Sequence, residues 1–188
     1  IDGTRNFLNT NPANAGRGGD SSKRDYFAVG IHLAQGKHVV AGVFYFPALE
    51  VMLTTAFRHG TFLNGQRVTL PALASPRFTD PVRVSQTVPE LRPLFLRNLG
   101  YGSSCGNLLA LLRGEITAYG TREVDLLDFG CSGLAYREAG GFVGDARSRA
   151  VIESDLIAPT ADAAGNPVIL VRGFQAFTPT REYHERVM

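Results

Sequence analysis

Asp2-Gly3-Thr4 places a carboxylate, a glycine and a hydroxyl side by side near the start of the chain. Glycine lets the backbone fold sharply enough to aim successive N–H groups at an anion, and the adjoining carboxylate can hold a hard cation against that anion. The Thr4 hydroxyl then stands where an attacking water needs a proton acceptor or a positioning group. Alone, the triplet is a turn. Asp128 offers a second carboxylate ahead of an apolar segment, where taken by itself it reads as the N-cap of a helix.

A different chemistry can be written from Gly102-Ser103-Ser104-Cys105-Gly106, which fits G-x-S-x-G ahead of a helix and would make Ser104 the nucleophile of an acyl-hydrolase. His184 lies downstream with aspartates between. The elbow also needs a strong buried strand before the serine, and Leu94-Phe95-Leu96-Arg97-Asn98-Leu99 is interrupted by Arg97 and Asn98. A close turn entering a helix is the better reading, and Gly100-Tyr101-Gly102 is too short a glycine cluster to mark a dinucleotide site. His32, His38, His59 and His184 show no ligand spacing, which argues against zinc. His32 and His38 fall on strands and are expected to face solvent or to be satisfied polar residues.

The elements that must position these groups follow from pattern and punctuation. With 188 residues, 44% hydrophobic and 19% charged, the chain can form one domain with a sizeable core. A net charge of +2 is too small to imply a nucleic-acid polymer or a membrane surface as partner. No apolar run approaches the roughly 20 residues of a membrane span. Cys105 and Cys131, the only two cysteines, are expected as small buried apolar residues in a reducing compartment rather than as a disulfide.

Asn9 to Asp25 reads as a long polar loop. Phe27–Leu33, His38–Phe46 and Val51–Phe57 read as an antiparallel meander, with a turn at Gln35-Gly36-Lys37 and a stop at Pro47. Asn64-Gly65 predicts a two-residue hairpin within Phe62–Val68. Pro71 to Pro93 is a connector with a short strand near Val82-Arg83-Val84. A helix capped by Ser103 or Ser104 carries Leu108, Leu109, Leu111 and Leu112 and stops at Gly114. A second runs from Phe129 to Ala139, capped by Asp128 and ended by Gly140-Gly141. Val168–Val171 is a short strand and Thr180–Val187 a terminal helix. The mixed order predicts an α/β or α+β fold in one domain over 1–188: a sheet part in 1–70 and an α/β part in 71–188.

Ile1-Asp2-Gly3-Thr4-Arg5-Asn6-Phe7 resembles the end of the D-P-[IL]-D-G-T-x-N-F motif of the inositol monophosphatase family, magnesium-dependent and lithium-inhibited phosphomonoesterases. Leu127-Asp128-Phe129 through Arg137-Glu138-Ala139-Gly140-Gly141 is similar to the family's second signature, W-D-x-A-A-G…E-A-G-G, with the spacing kept. Gly42–Pro47, Ala56–Gly65 and Gly102-Ser103-Ser104 also fall in the family's order, so the resemblance covers nearly the whole chain. It implies an αβαβα sandwich of the sugar phosphatase type. Asp2, Asp128 and the Ile1 carbonyl oxygen would ligate Mg²⁺, two or three ions in all, with Mn²⁺ able to substitute. The Gly3 and Thr4 N–H groups would hold the phosphate, and Thr4 and Asp2 would take part in catalysis. Gly102, Ser103 and Ser104 would line the alcohol side of the substrate.

The resemblance further implies a small phosphorylated substrate, a homodimer and a cytoplasmic location. Inositol-1-phosphate, fructose 1,6-bisphosphate and a 3'(2'),5'-bisphosphate nucleotide are the candidate esters. Thr121 stands where inositol-specific members carry a glutamate, which weakens inositol, and Leu127 replaces the usual tryptophan. Arg17, Lys23 and Arg24 could meet a second phosphate, although a solvated loop is the plainer reading. The family's first aspartate, its Glu-Glu metal motif and its N-terminal helical layer have no counterpart here. A start other than Met inside a metal motif points to a longer polypeptide. The expectation is that these 188 residues alone bind Mg²⁺ poorly and hydrolyse little. The reading from a different class is a catalytically silent relative or fragment that binds a phosphorylated ligand or a partner chain.

Overall fold

The computed structural model describes residues 7, 25–36, 38–72, 81–84, 97–98, 101–147, 149–151, 157–161 and 167–187; in 81–84, 97–98, 122–129, 157–161, 167–174 and 187 the description is of the backbone. Ile1 to Thr4, the Arg17, Lys23 and Arg24 loop and most of the proline-rich connector lie outside these residues.

Five strands form a first antiparallel sheet in chain order: β1 (Val29–Gln35), β2 (His38–Phe46), β3 (Val51–Ala56), β4 (Gly60–Leu63) and β5 (Gln66–Val68). The expected meander is present, and local chemistry sets its register. Asn64 and Gly65 both have positive φ, 48° and 78°, as a tight hairpin with the native strand twist requires. Asn64 also reaches across to β3, where its Oδ1 accepts the Met52 N–H at 2.7 Å and its main-chain N–H donates to the Met52 carbonyl at 2.8 Å. Pro47 ends β2 in a single 3-10 turn, Pro47–Leu49. The edge strand β1 leaves Val29, Ile31 and Leu33 exposed.

The second sheet has the order β10-β11-β8-β6-β7, with β9 paired to β11. Its strands are β6 (Pro81–Val84), β7 (Arg97–Asn98), β8 (Ala118–Asp125), β9 (Phe142–Gly144), β10 (Ile157–Ala161) and β11 (Pro167–Thr178). β6 runs parallel to β7 and β8, while the remaining pairs are antiparallel. Sequence pattern located β6 and only the first part of β11. The long strand continues through Arg172-Gly173 because a register irregularity between Val171 and Phe174 absorbs the interruption. β8 reads as polar and glycine-containing, yet its Ala118, Tyr119, Gly120 and Thr121 are buried by what covers the sheet.

Two helices pack together as a middle layer, α1 (Ser104–Leu112) and α2 (Leu126–Glu138), and α2 contacts both sheets. α1 is apolar nearly all round and is buried from Cys105 to Leu112, the signature of an interior helix. Phe44, Phe46 and Leu53 from the first sheet, Leu108, Leu109 and Cys131 from the helices, and Phe177 from the second sheet belong to one core. Both cysteines are buried thiols that form no disulfide, as expected. The last helix, α3 (Arg181–Val187), packs on β9 and β11. Thr180 precedes it and accepts the Tyr183 N–H at 3.1 Å.

One boundary differs from the sequence reading in a way that matters. α2 begins at Leu126, directly after β8 ends at Asp125, so Asp128 lies inside the first helical turn and is not the N-cap. The strand feeds the helix without a loop, and a three-residue-later start would have required one.

Candidate functional site

The Gly102–Ser104 turn is built by helix-capping chemistry. Gly102 has φ +67°, a left-handed conformation that glycine adopts without strain. Ser103 is extended, and its Oγ accepts the Gly106 N–H at 2.9 Å, which makes it the N-cap of α1. Ser103 is buried, and its hydroxyl serves the helix. Gly102 is exposed and Ser104 half-buried, which leaves these two as the accessible members of the turn.

The elbow reading fails on other grounds. Among the described residues, the strand before the turn, β7, spans two residues. His184 is buried with both ring nitrogens engaged, Nε2 with the Asp145 carbonyl oxygen at 2.8 Å and Nδ1 with Thr178 Oγ1 at 3.3 Å. It is a structural histidine joining α3 to the chain after β9. His38 is exposed and His32 half-buried, as expected of these two, and His59 is exposed as well.

The second signature resolves into packing roles around Asp128. Cys131 stands one turn further along α2, and a Cβ on Gly42 of β2 would collide with its Sγ, so this glycine lets the helix seat directly on the first sheet. Glu138 in the last turn accepts the main-chain N–H groups of Arg58 and Gly60, each at 2.9 Å. Thr61 Oγ1 donates to the Ala135 carbonyl at 2.6 Å. Gly140 takes φ +96°, and Gly141 N–H returns to the Tyr136 carbonyl at 3.0 Å, a Schellman close. Gly141 must be glycine because a Cβ there would enter the Tyr136 ring. These contacts fix the axis of the helix whose first turn holds Asp128.

Of the residues that could hold a divalent cation, Asp128 is described by its backbone, while Ile1 and Asp2 lie outside the described residues. Two carboxylates and a carbonyl oxygen are the hard-oxygen donors Mg²⁺ takes. A carboxylate in a first helical turn is stabilised by the helix dipole and is not required there as a cap. By donor type alone these residues suit such an ion. Among the described residues no three His, Cys, Asp or Glu side chains gather into a further metal cluster. No described helix is long and apolar enough to cross a membrane.

One cluster has no signature in the sequence. Tyr26 Oη donates to Glu115 Oε2 at 2.7 Å, and Tyr101 Oη donates to the same oxygen at 3.1 Å. Burial, followed by the Glu115 charge and hydrogen bond, pushes the Tyr101 phenol up to about 12. Burial and the Glu115 hydrogen bond raise Tyr26 still further. Both phenols are therefore proton donors at neutral pH.

Two sheets enclosing a helical layer, with Asp128 in the first turn of the central helix and a capped glycine-serine turn, make up a layered α/β fold. Residues 1–176 match the Inositol monophosphatase family, and the chain belongs to that family. An inositol-1-monophosphatase of Mesorhizobium japonicum is 28% identical over 183 residues, covering 90% of this chain and 62% of its own length. The extragenic suppressor protein suhB of Bartonella henselae superposes with a TM-score of 0.65 at 24% identity, over 91% of this chain and 64% of its own. The inositol monophosphatase II of Staphylococcus aureus gives 0.69 at 15% identity, over 100% and 65%. The chain thus spans less than two thirds of the length of these relatives.

Proposed function

We propose that the protein is a metal-dependent phosphomonoesterase acting on a small sugar, polyol or nucleotide phosphate. The observation that carries this reading is the position of Asp128 within the first turn of α2, in a chain that also holds Asp2-Gly3-Thr4. Asp2, Asp128 and the Ile1 carbonyl oxygen would hold Mg²⁺, which when bound acidifies a water and neutralises charge on the phosphate during in-line displacement. The Gly3 and Thr4 N–H groups bind and orient the phosphate. The Thr4 hydroxyl holds the attacking water by its proton. Gly102 and Ser104 line the alcohol side, and Ser103 holds that turn in place through its cap.

The substrate class is broad on this reading. Thr121 is buried in β8 opposite Gln175 of β11, and it offers no carboxylate to read the hydroxyls of an inositol ring. SaIMPase-II, one of the structural neighbours, has been crystallised with inositol monophosphate and with 2'AMP, which supports keeping polyol and nucleotide esters together. The same reading makes the protein a lithium-sensitive homodimer of the cytoplasm.

Phosphate release from a panel of inositol, fructose and adenosine phosphates, with Mg²⁺ and with or without Li⁺, tests the proposal. For the protein at its natural length, release is expected with Mg²⁺, falling with Li⁺ and lost in Asp2→Asn and Asp128→Asn. Unchanged release in those two variants would remove the site. Binding of the esters without any turnover would favour the silent relative instead.

A further inference from the structure

Glu115 stands just past the end of α1, where its backbone is locked. Gly114 takes φ +72°, Gly114 N–H donates to the Leu111 carbonyl at 3.1 Å, and Glu115 N–H donates to the Ala110 carbonyl at 2.9 Å. The carboxylate is thus carried on the rigid C-terminal close of a buried helix. Its Oε2 receives both tyrosine hydroxyls, and Oε1 lies 3.6 Å from Arg113 Nη1. The Tyr26 and Tyr101 rings pack with centroids 4.4 Å apart. Tyr26 also presses on α1, since a Cβ on Gly106 would come within 2.9 Å of the Tyr26 Cβ.

The two tyrosines belong to different parts of the chain. Tyr101 immediately precedes Gly102, the exposed left-handed residue of the turn assigned to the alcohol side. Tyr26 leads into β1 and follows the segment that begins with Asp2-Gly3-Thr4. Hydrogen bonds to a charged acceptor are the stronger kind, and two of them on one oxygen fix both phenols relative to a third rigid point. A glycine with positive φ next to the held residue is otherwise free to pivot.

We propose that Glu115 is a positioning residue for substrate, acting through Tyr101 to hold the Gly102–Ser104 turn and through Tyr26 to hold the chain entering β1. The inference rests on the phosphatase reading above. Glu115 touches no reacting atom; it sets where the alcohol part of the ester is received. Contacts on that side are present in the bound substrate and in the transition state alike, so loosening them weakens binding without slowing chemistry.

The test is steady-state kinetics on the wild type, Tyr101→Phe and Glu115→Gln, using the best ester of the panel, together with inhibition by inorganic phosphate. Phenylalanine keeps the ring contact and removes the hydroxyl; glutamine keeps the shape and removes the charge. Each variant is expected to raise KM roughly fivefold with kcat within about twofold. The inhibition constant for inorganic phosphate, which has no alcohol part, is expected to stay at the wild-type value. An unchanged KM in both variants, with an active wild type, overturns the inference and leaves the phosphatase reading standing. A parallel rise in KM and in the phosphate constant overturns it too, because a general loosening moves both. A wild type of natural length that releases no phosphate from any ester overturns the phosphatase reading, and this inference falls with it.

Discussion

Gly42 of β2 and Cys131 of α2 touch so closely that no side chain fits between them: a Cβ on Gly42 would overlap the Cys131 sulfur. The contact joins two stretches of sequence that sit far apart, and it sets how deeply the helix with Asp128 in its first turn lies on the first sheet. Cys131 is fully buried, so it has nowhere to retreat. Gly42→Ala is expected to destabilise the protein by about 1–3 kcal/mol through overpacking. Urea unfolding measures the loss. Adding Cys131→Ala should recover part of it, and additive losses in the double variant would show that the two residues do not compete for one space.

Glu138 binds the β3–β4 turn through two main-chain N–H groups, which makes an acidic residue of the second signature a structural one. Arg58 in that turn has φ +63°, unusual for a residue with a side chain, and the carboxylate holds it there. Glu138→Ala is expected to cost about 2–3 kcal/mol because two donors lose a charged acceptor. Glu138→Gln should cost less, since one oxygen remains. Hydrogen exchange should speed up at Arg58 and Gly60 in the alanine variant while the α1 amides keep their protection.

The buried His184 gives stability a dependence on pH whose sign follows from its surroundings. Burial lowers its pKa below the ordinary 6.5, against the opposing pull of the Asp145 carbonyl and of the Asp145 and Glu185 charges. Arg181, whose guanidinium lies over the Phe142 ring, also disfavours a proton on the imidazole. The unfolded chain therefore takes up the proton first. The His184 contribution is fully present above about pH 6.5 and is lost as pH falls through the lower folded value. Unfolding free energies between pH 8 and 5 should drop more steeply for wild type than for His184→Asn; parallel curves would contradict the assignment.

Asp145 acts in a more acidic window. Burial works against its charge, but the Arg149 and Arg147 main-chain N–H groups and the Arg149 guanidinium outweigh it and hold the carboxyl below its usual 3.8. Its contribution persists above about pH 4 and disappears as pH falls through the depressed value. Asp145→Asn should flatten the stability profile only at that acidic end.

Ser103 and Ser104 are neighbours with different duties. Ser103→Ala removes the N-cap of α1 and should cost about 1 kcal/mol, recovered by Ser103→Asp. Thermal unfolding of the two variants, side by side, reads the difference. If alanine and aspartate were equally stable there, the cap would not be what holds the turn.

Much of the local structure was legible in the residues themselves. Asn64-Gly65, Pro47, Gly114 and Gly140-Gly141 act through conformational preferences that need no partner, so the hairpin and the element ends follow from sequence. The family motifs, with their order and spacing, were equally plain in Asp2-Gly3-Thr4 and in the stretch from Leu127 to Gly141. Tertiary structure decided what depends on distant neighbours. Ala118–Asp125 becomes a strand because β6 and β11 pair with it on either side, although its own pattern is polar. Asp128 moves from cap to first turn because β8 feeds directly into α2. Ser103 is chosen over Ser104 by one hydrogen bond. Glu115 meets Tyr26 only because the fold brings residues 89 apart in the chain within 2.7 Å. A sequence records preferences of each residue for its own backbone; which carboxylate receives which hydroxyl is fixed only when sheets and helices close on one core.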